Sequence, residues 1–196
     1  AIRLICVMML DRFADFSGDQ PIAHVREACA QVLAILMNKM HDEDLSMIFD
    51  RIVIMVNESD NWEVRHSAFL ILKYLVSVRP SFAEAHMQAL LDVLFEGLDD
   101  IEADVKAVAA DAMLPLLKSN LRSDTSLKIL ELTAIVTTET CTKLLAVLSA
   151  LLIELDDVSS ATNNVMILLA SLCTILGENP GLVTTLDASH LIPTLF

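Results

Sequence analysis

The chain has 196 residues, of which 55% are apolar and 5% aromatic, with only four glycines and five prolines. An all-β fold would need turn signals every ~8–12 residues, and these are too sparse, so helix is the expected element. A net charge of −14 speaks against a direct grip on nucleic acid, whose phosphates demand Lys and Arg, and suits a basic protein partner or plain solubility.

The opening stretch AIRLICVMML (1–10) has no cleavage-site pattern and runs straight into Asp11-Arg12, which is not how a signal peptide ends. Three later segments share one plan: a short turn, a Val followed by a basic residue, then an Ala-rich helix. They are DQPIAHVREACAQVLAILM (19–37), DNWEVRHSAFLILKYLV (60–76) and DIEADVKAVAADAMLPLL (100–117). The Val-basic pairs Val25-Arg26, Val64-Arg65 and Val105-Lys106 lie 39 and 41 residues apart. That spacing fits the ~40–47 residue period of HEAT and armadillo repeats.

Within the second copy, Val64, Ala68, Ile71, Leu72, Leu75 and Val76 recur at helical spacing, and Leu45, Ile48, Phe49, Ile52 and Val56 do the same in the preceding segment. Both helices are apolar on more than one side, as a repeat packed between two neighbours requires. Pro115 falls mid-helix and predicts a kink. A fourth copy, LDDVSSATNNVMILLASL (155–172), aligns with 98–115 at an offset of 57, so 16 extra residues fall within 119–139. There SLKILELTAIV predicts an additional short helix. The uncharged stretch from Val158 to Gly177 has an apolar core of only 12 residues, Val165 to Leu176. Crossing a bilayer takes ~20.

The expected fold is therefore an all-α HEAT-repeat α-solenoid, a superhelical stack of antiparallel helix pairs. Its repeats run approximately over 1–40, 43–79, 81–119 and 139–177, with an insertion at 119–138 and a partial repeat at 187–196. Both ends read as cuts within a longer protein. The turns near 18–24, 59–62, 98–103 and 155–160 should line one edge, with Asp residues capping the helices that follow.

Arg26, Arg65 and Lys106 hold equivalent places early in the second helices. They read as a structural ladder paired with the turn carboxylates Asp19, Asp60 and Asp100, or else as partner contacts. Trp62, the only tryptophan, is either a staple on its own helix or an exposed binding anchor. The acidic turns lack the alternating ligands, turn Gly and terminal Glu of a calcium loop. The five histidines are scattered and read as surface residues, with no zinc spacing. The four cysteines, Cys6, Cys29, Cys141 and Cys173, each sit in an apolar stretch and read as small hydrophobes of a reducing compartment. Neither a GxxxxGK[ST] loop nor a GxSxG elbow occurs. No cofactor, metal or catalytic residue is expected, and the chain is read as a binding module, not an enzyme.

The blocks DRFADF (11–16), VRE (25–27), NWEVRHSAFLILKYLVSVR (61–79), EGLDDIEADVKAVAA (96–110) and ELDDVSSATNNVMILLASL (154–172) resemble the TATA-box-binding-protein-associated ATPase family. Its members pair an N-terminal HEAT array with a C-terminal Swi/Snf-type motor. The resemblance implies a nuclear transcription regulator that binds TATA-box-binding protein through the array and uses ATP to strip it from promoter DNA. It implies that the inter-helix turns grip the basic convex face of that partner, with Trp62, Glu63, Asp99, Asp100, Asp104, Asp156 and Asp157 as contact candidates. The rest of the array is the other implied partner; neither direct nucleic-acid contact nor a membrane is. Two departures stand out: Lys106 where Arg is more usual, and Ala23-His24 in place of a Pro-containing turn. Ser119 to Cys141 matches poorly, and the motor lies outside this sequence.

Overall fold

The computed structural model describes residues 1–12, 15–17, 20–121, 138–154 and 160–178. Helices dominate: α1 (Ile2–Leu10), α2 (His24–Met37), α3 (Asp42–Asn57), α4 (Trp62–Val78), α5 (Pro80–Ala85), α6 (Met87–Leu98), α7 (Ala103–Leu121), α8 (Thr138–Glu154) and α9 (Ser160–Glu178). Between α1 and α2 lies an antiparallel hairpin of two three-residue strands, β1 (Asp15–Ser17) and β2 (Gln20–Ile22), pairing Asp15 with Ile22 and Ser17 with Gln20. Helical periodicity gave no sign of this small departure from an all-α chain.

The helices stack in two layers. The second helices α2, α4, α7 and α9 pack in succession, each against the next. Their partners α1, α3, α6 and α8 pack against them from one side, and α3 also meets α6. This is the antiparallel-pair stack of an α-solenoid, in which each repeat touches its neighbours only. The core runs the length of the stack: Leu33, Leu45, Ile52, Phe69, Leu72, Leu90, Val105, Ala109, Leu148 and Leu168 are all fully buried.

Two contacts fix the register of the first repeats. Arg79, just past α4, donates to the carbonyls of Met37 (3.2 Å) and Met40 (2.6 Å), and so closes the C-terminal end of α2 that would otherwise expose acceptors. It also pairs with Asp42 at the start of α3. Gly97 lets α6 approach closely, because a Cβ there would lie 2.3 Å from Phe69 Cζ and 2.7 Å from Ala109 Cβ.

Several expectations are corrected. Turn aspartates do not cap the helices from α1 to α6, none of which has a side-chain N-cap hydrogen bond. Their acidic first turns (Glu27, Asp42 to Asp44, Glu63) act on the helix dipole instead. Cys6 and Cys173 are exposed and Cys29 is half-buried, leaving Cys141 as the buried hydrophobe; all four are free. Pro115, where a kink is expected, lies inside helix α7. Most of the 119–138 insertion and the whole of 187–196 lie outside the described residues. Among the described residues, no helix is long and apolar enough to cross a membrane.

Candidate protein-binding edge

The turn before α4 and the turn before α7 lie side by side, and one side chain ties them together. Arg65, one turn into α4, reaches forward to the next repeat: Nε and Nη2 donate to Asp100 at 2.6 and 2.9 Å. Its third arm, Nη1, donates to the carbonyl of Ser59 at 3.0 Å. The side chains of Arg65 and Asp100 are only 11% and 7% exposed, and the carboxylate holds the guanidinium pKa above its ordinary value despite burial. Asp100 also accepts from the amide of Glu102 at 2.9 Å. Both oxygens of Asp100 are thus occupied inside the protein, so this contact candidate is a brace and not a free surface carboxylate.

The brace throws its neighbours outward. Asp60 and Asn61 on one turn, and Asp99, Ile101 and Glu102 on the other, are exposed. Ile101 is 88% exposed, the most open large apolar residue among those described. Among the described contact candidates, Asp99 alone is exposed. Asp156 and Asp157 lie outside the described residues. Glu63 is half-buried and meets Arg12 at 3.3 Å.

Trp62 and Asp104 face a different place, a cavity of about 150 Å³ between the second helices. Its walls include Arg26, Trp62, His66, Lys73, Asp104, Asp111 and Asn164. The Trp62 ring lies under the Arg26 guanidinium, 5.2 Å from its centroid, and meets His66 edge-on at 6.2 Å. Trp62 therefore packs both on its own helix and across to the previous repeat. Arg26 is buried and meets Asp11, the residue after α1, at 3.5 Å. Asp19, the carboxylate first assigned to it, lies outside the described residues. Burial lowers the Arg26 pKa, against the opposing pull of Asp11, Glu63 and Asp104. Lys106 is half-buried in the first turns of α7, where its amide donates to the Glu102 carbonyl at 3.1 Å.

His66 corrects the reading of the histidines as surface residues. Its Nδ1 lies 3.1 Å from Arg26 Nη1, and since a guanidinium can only donate, Nδ1 accepts and the ring is neutral with its proton on Nε2. Burial, then the charges of Arg26 and Lys73, drive its pKa down to about 3. Lys73 pairs with Asp111 of the following repeat at 2.7 Å. Burial works against that ammonium, yet Asp111 and Glu27 more than offset it and raise its pKa. Asp104 is held above the usual carboxylate range by burial and Glu102, with Arg26 opposing.

Sequence reasoning missed Ile101, Asp11, His66 and the Lys73–Asp111 pair. His66 was within reach, lying four residues after Trp62 and 40 after Arg26, one repeat length away. Among the described residues no group of three His, Cys, Asp or Glu side chains converges as a metal site would require. The edge presents exposed carboxylates (Asp60, Asp99 and Glu102) around one exposed isoleucine, Ile101.

The family described as EF3 N-terminal HEAT repeat matches residues 5–113. The chain is 36% identical over 173 residues to the human TATA-binding protein-associated factor 172, covering 88% of this chain and 9% of that protein. It is 38% identical over 175 residues to the TATA-binding protein-associated factor BTAF1 of Arabidopsis thaliana, covering 87% and 8%. With the TATA-binding protein-associated factor mot1 of Schizosaccharomyces pombe it shares 30% identity over 212 aligned positions, covering 99% and 10%. The chain thus spans about a tenth of the length of the curated relatives it matches.

Proposed function

The chain belongs to the HEAT-repeat family described as EF3 N-terminal HEAT repeat and to the TATA-binding protein-associated factors, and from that premise we propose that its acidic turn edge binds TATA-box-binding protein. The HEAT stack acts as a scaffold within a transcription regulator of the nucleus. In the whole protein, an ATP-driven motor outside this chain would use the grip to remove the partner from promoter DNA.

The observation that carries this reading is the edge built on Arg65 and Asp100. Asp60, Asp99 and Glu102 are exposed on the two turns that it ties together, in a chain of net charge −14. A basic protein face is its electrostatic complement. Each exposed ion pair is worth only ~0.2–1 kcal/mol, so the carboxylates act mainly on the rate of encounter and on orientation. Asp100 supports the edge from within.

Association kinetics with purified TATA-box-binding protein test the proposal. The parent chain should associate quickly at low salt and more slowly as salt rises. Replacing Asp60, Asp99 and Glu102 together by Lys should slow association at least tenfold and leave the helical circular dichroism intact. A parent chain that is fully helical and yet binds no TATA-box-binding protein at low salt would make this a HEAT scaffold for some other partner.

A further inference from the structure

We propose that Ile101 is the apolar anchor of the edge, seated in an apolar depression between basic side chains of the partner protein, and that Arg65 positions it through Asp100. This rests on the proposed binding of TATA-box-binding protein and adds to it the residue that governs how long the complex lasts.

Ile101 sits at the summit of the turn between α6 and α7, 88% exposed. Among the described residues, none covers this isoleucine. The turn below it is held from several sides. Asp99 donates its amide to the Phe95 carbonyl at 3.1 Å. Asp100 accepts two bonds from Arg65 and one from the Glu102 amide. The Glu102 carbonyl receives the amides of Val105 and Lys106, each at 3.1 Å. A partner that buries Ile101 therefore has little backbone entropy left to remove, which is the condition under which a single side chain yields affinity.

The surroundings decide the kind of partner. Asp99 and Glu102, both exposed, flank Ile101 in sequence, and Asp60 is exposed on the turn that Arg65 ties to this one. An anionic lipid surface or a nucleic acid would meet these carboxylates with like charge. A second copy of the chain, also at −14, would do the same. A basic protein surface meets them with opposite charge and can close over the isoleucine, giving the apolar centre and polar rim of a protein interface. In that arrangement the rim sets the association rate and Ile101 the dissociation rate.

The experiment compares the parent, Ile101→Ala and the Asp99→Lys/Glu102→Lys pair against TATA-box-binding protein by surface-based kinetics. Thermal melts of each chain accompany the measurement. Ile101→Ala should dissociate roughly tenfold faster or more, as expected for losing a buried aliphatic side chain. Its association rate, salt dependence and melting temperature should match the parent. The charge-reversed pair should show the opposite split, with slower association. In an Asp100→Asn background, where the brace is weakened, the effect of Ile101→Ala should shrink, because the anchor is no longer held in place. If Ile101→Ala dissociates at the parental rate while charge reversal still slows association, the anchor is refuted and the acidic edge stands. If the folded parent fails to bind at all, the partner assignment falls and this inference falls with it.

Discussion

Arg65 and Asp100 join consecutive repeats through a two-pronged ion pair, Nε and Nη2 on Oδ2 and Oδ1 at 2.6 and 2.9 Å, with both side chains nearly out of solvent. Exposed ion pairs contribute ~0–1 kcal/mol, whereas stranding one partner of a buried pair costs ~3–5 kcal/mol. This pair lies nearer the second case, since Asp100→Ala leaves the guanidinium its hydrogen bond to the Ser59 carbonyl and only the longer-range pull of Glu102 and Asp60. The expected loss is about 2–3 kcal/mol in chemical denaturation. The double variant Arg65→Ala/Asp100→Ala should lose clearly less than the sum of the two single variants. Additive losses would mean that the two residues stabilise the stack independently.

The His66–Arg26 contact predicts acid sensitivity. His66 is neutral in the fold with its pKa near 3, against an ordinary value near 6.5, so the unfolded chain takes up a proton that the folded chain refuses. Stability from this group is complete above about 6.5. It declines as pH falls, by about 1.4 kcal/mol per unit, until the folded pKa is reached. Asp104, whose carboxyl is raised by burial and Glu102, acts in the opposite sense but only near the carboxylate range. Between about pH 7.5 and about pH 5 the parent should lose about 2 kcal/mol from His66. His66→Asn keeps an acceptor for Arg26 and should flatten that decline. Equal slopes for the two chains would show that His66 is not the titrating group.

How far the sequence carried the fold follows from what periodicity can encode. The Val-basic pairs at 25, 64 and 105 fall in the first turns of α2, α4 and α7, so their recurrence at 39 and 41 residues marks the second helices, although Val25 is open where Val64 and Val105 are buried. The break between α5 and α6 left no such trace. His86 lies against Phe82 with ring centroids 4.1 Å apart and bonds its carbonyl, a contact made by side chains and not by pattern. The edge was half legible: acidic turns stand out in composition, but which carboxylate points inward depends on the reach of Arg65 across 35 residues. Asp100 and Asp99 are neighbours in sequence and opposites in environment, and only tertiary structure separates them. Trp62 illustrates the same limit, since its ring contacts both its own helix and Arg26 of the repeat before.

Gly97 is the next point of test. Adding a methyl group places a carbon 2.3 Å from Phe69 Cζ and 2.7 Å from Ala109 Cβ, inside a region where Phe69 and Ala109 are fully buried. Neither can retreat into solvent, so α6 must move away from α4 and α7. Gly97→Ala should therefore destabilise by about 1–3 kcal/mol, the usual range for overpacking, despite the better helix propensity of Ala. Pairing it with Phe69→Leu should recover part of the loss. An unchanged melting temperature for Gly97→Ala alone would mean that α6 packs more loosely than its geometry indicates.

The last prediction concerns the first repeat. One stripe recurs along the second helices: Val25, Cys29, Val32 and Leu36 on α2, then Val64, Ala68, Ile71 and Leu75 on α4, then Val105, Ala109, Ala112 and Leu116 on α7. On α4 and α7 every member is buried, with none above 4% exposure. On α2 three of the four positions are open, with Val25 at 47%, Val32 at 49% and Leu36 at 41%, and Cys29 is half-buried. Ile2 and Leu10 of α1 are open as well, at 77% and 76%. Open apolar side chains grouped in this way favour association. The chain should therefore self-associate in a concentration-dependent way when studied alone. Val32→Lys/Leu36→Lys should shift it towards monomer in sedimentation velocity with little change in melting temperature, since the side chains are half-open already. A parent chain that stays monomeric at high micromolar concentration would show that this face is covered some other way. Self-association undiminished in the double-lysine variant would move the contact to another face of the stack.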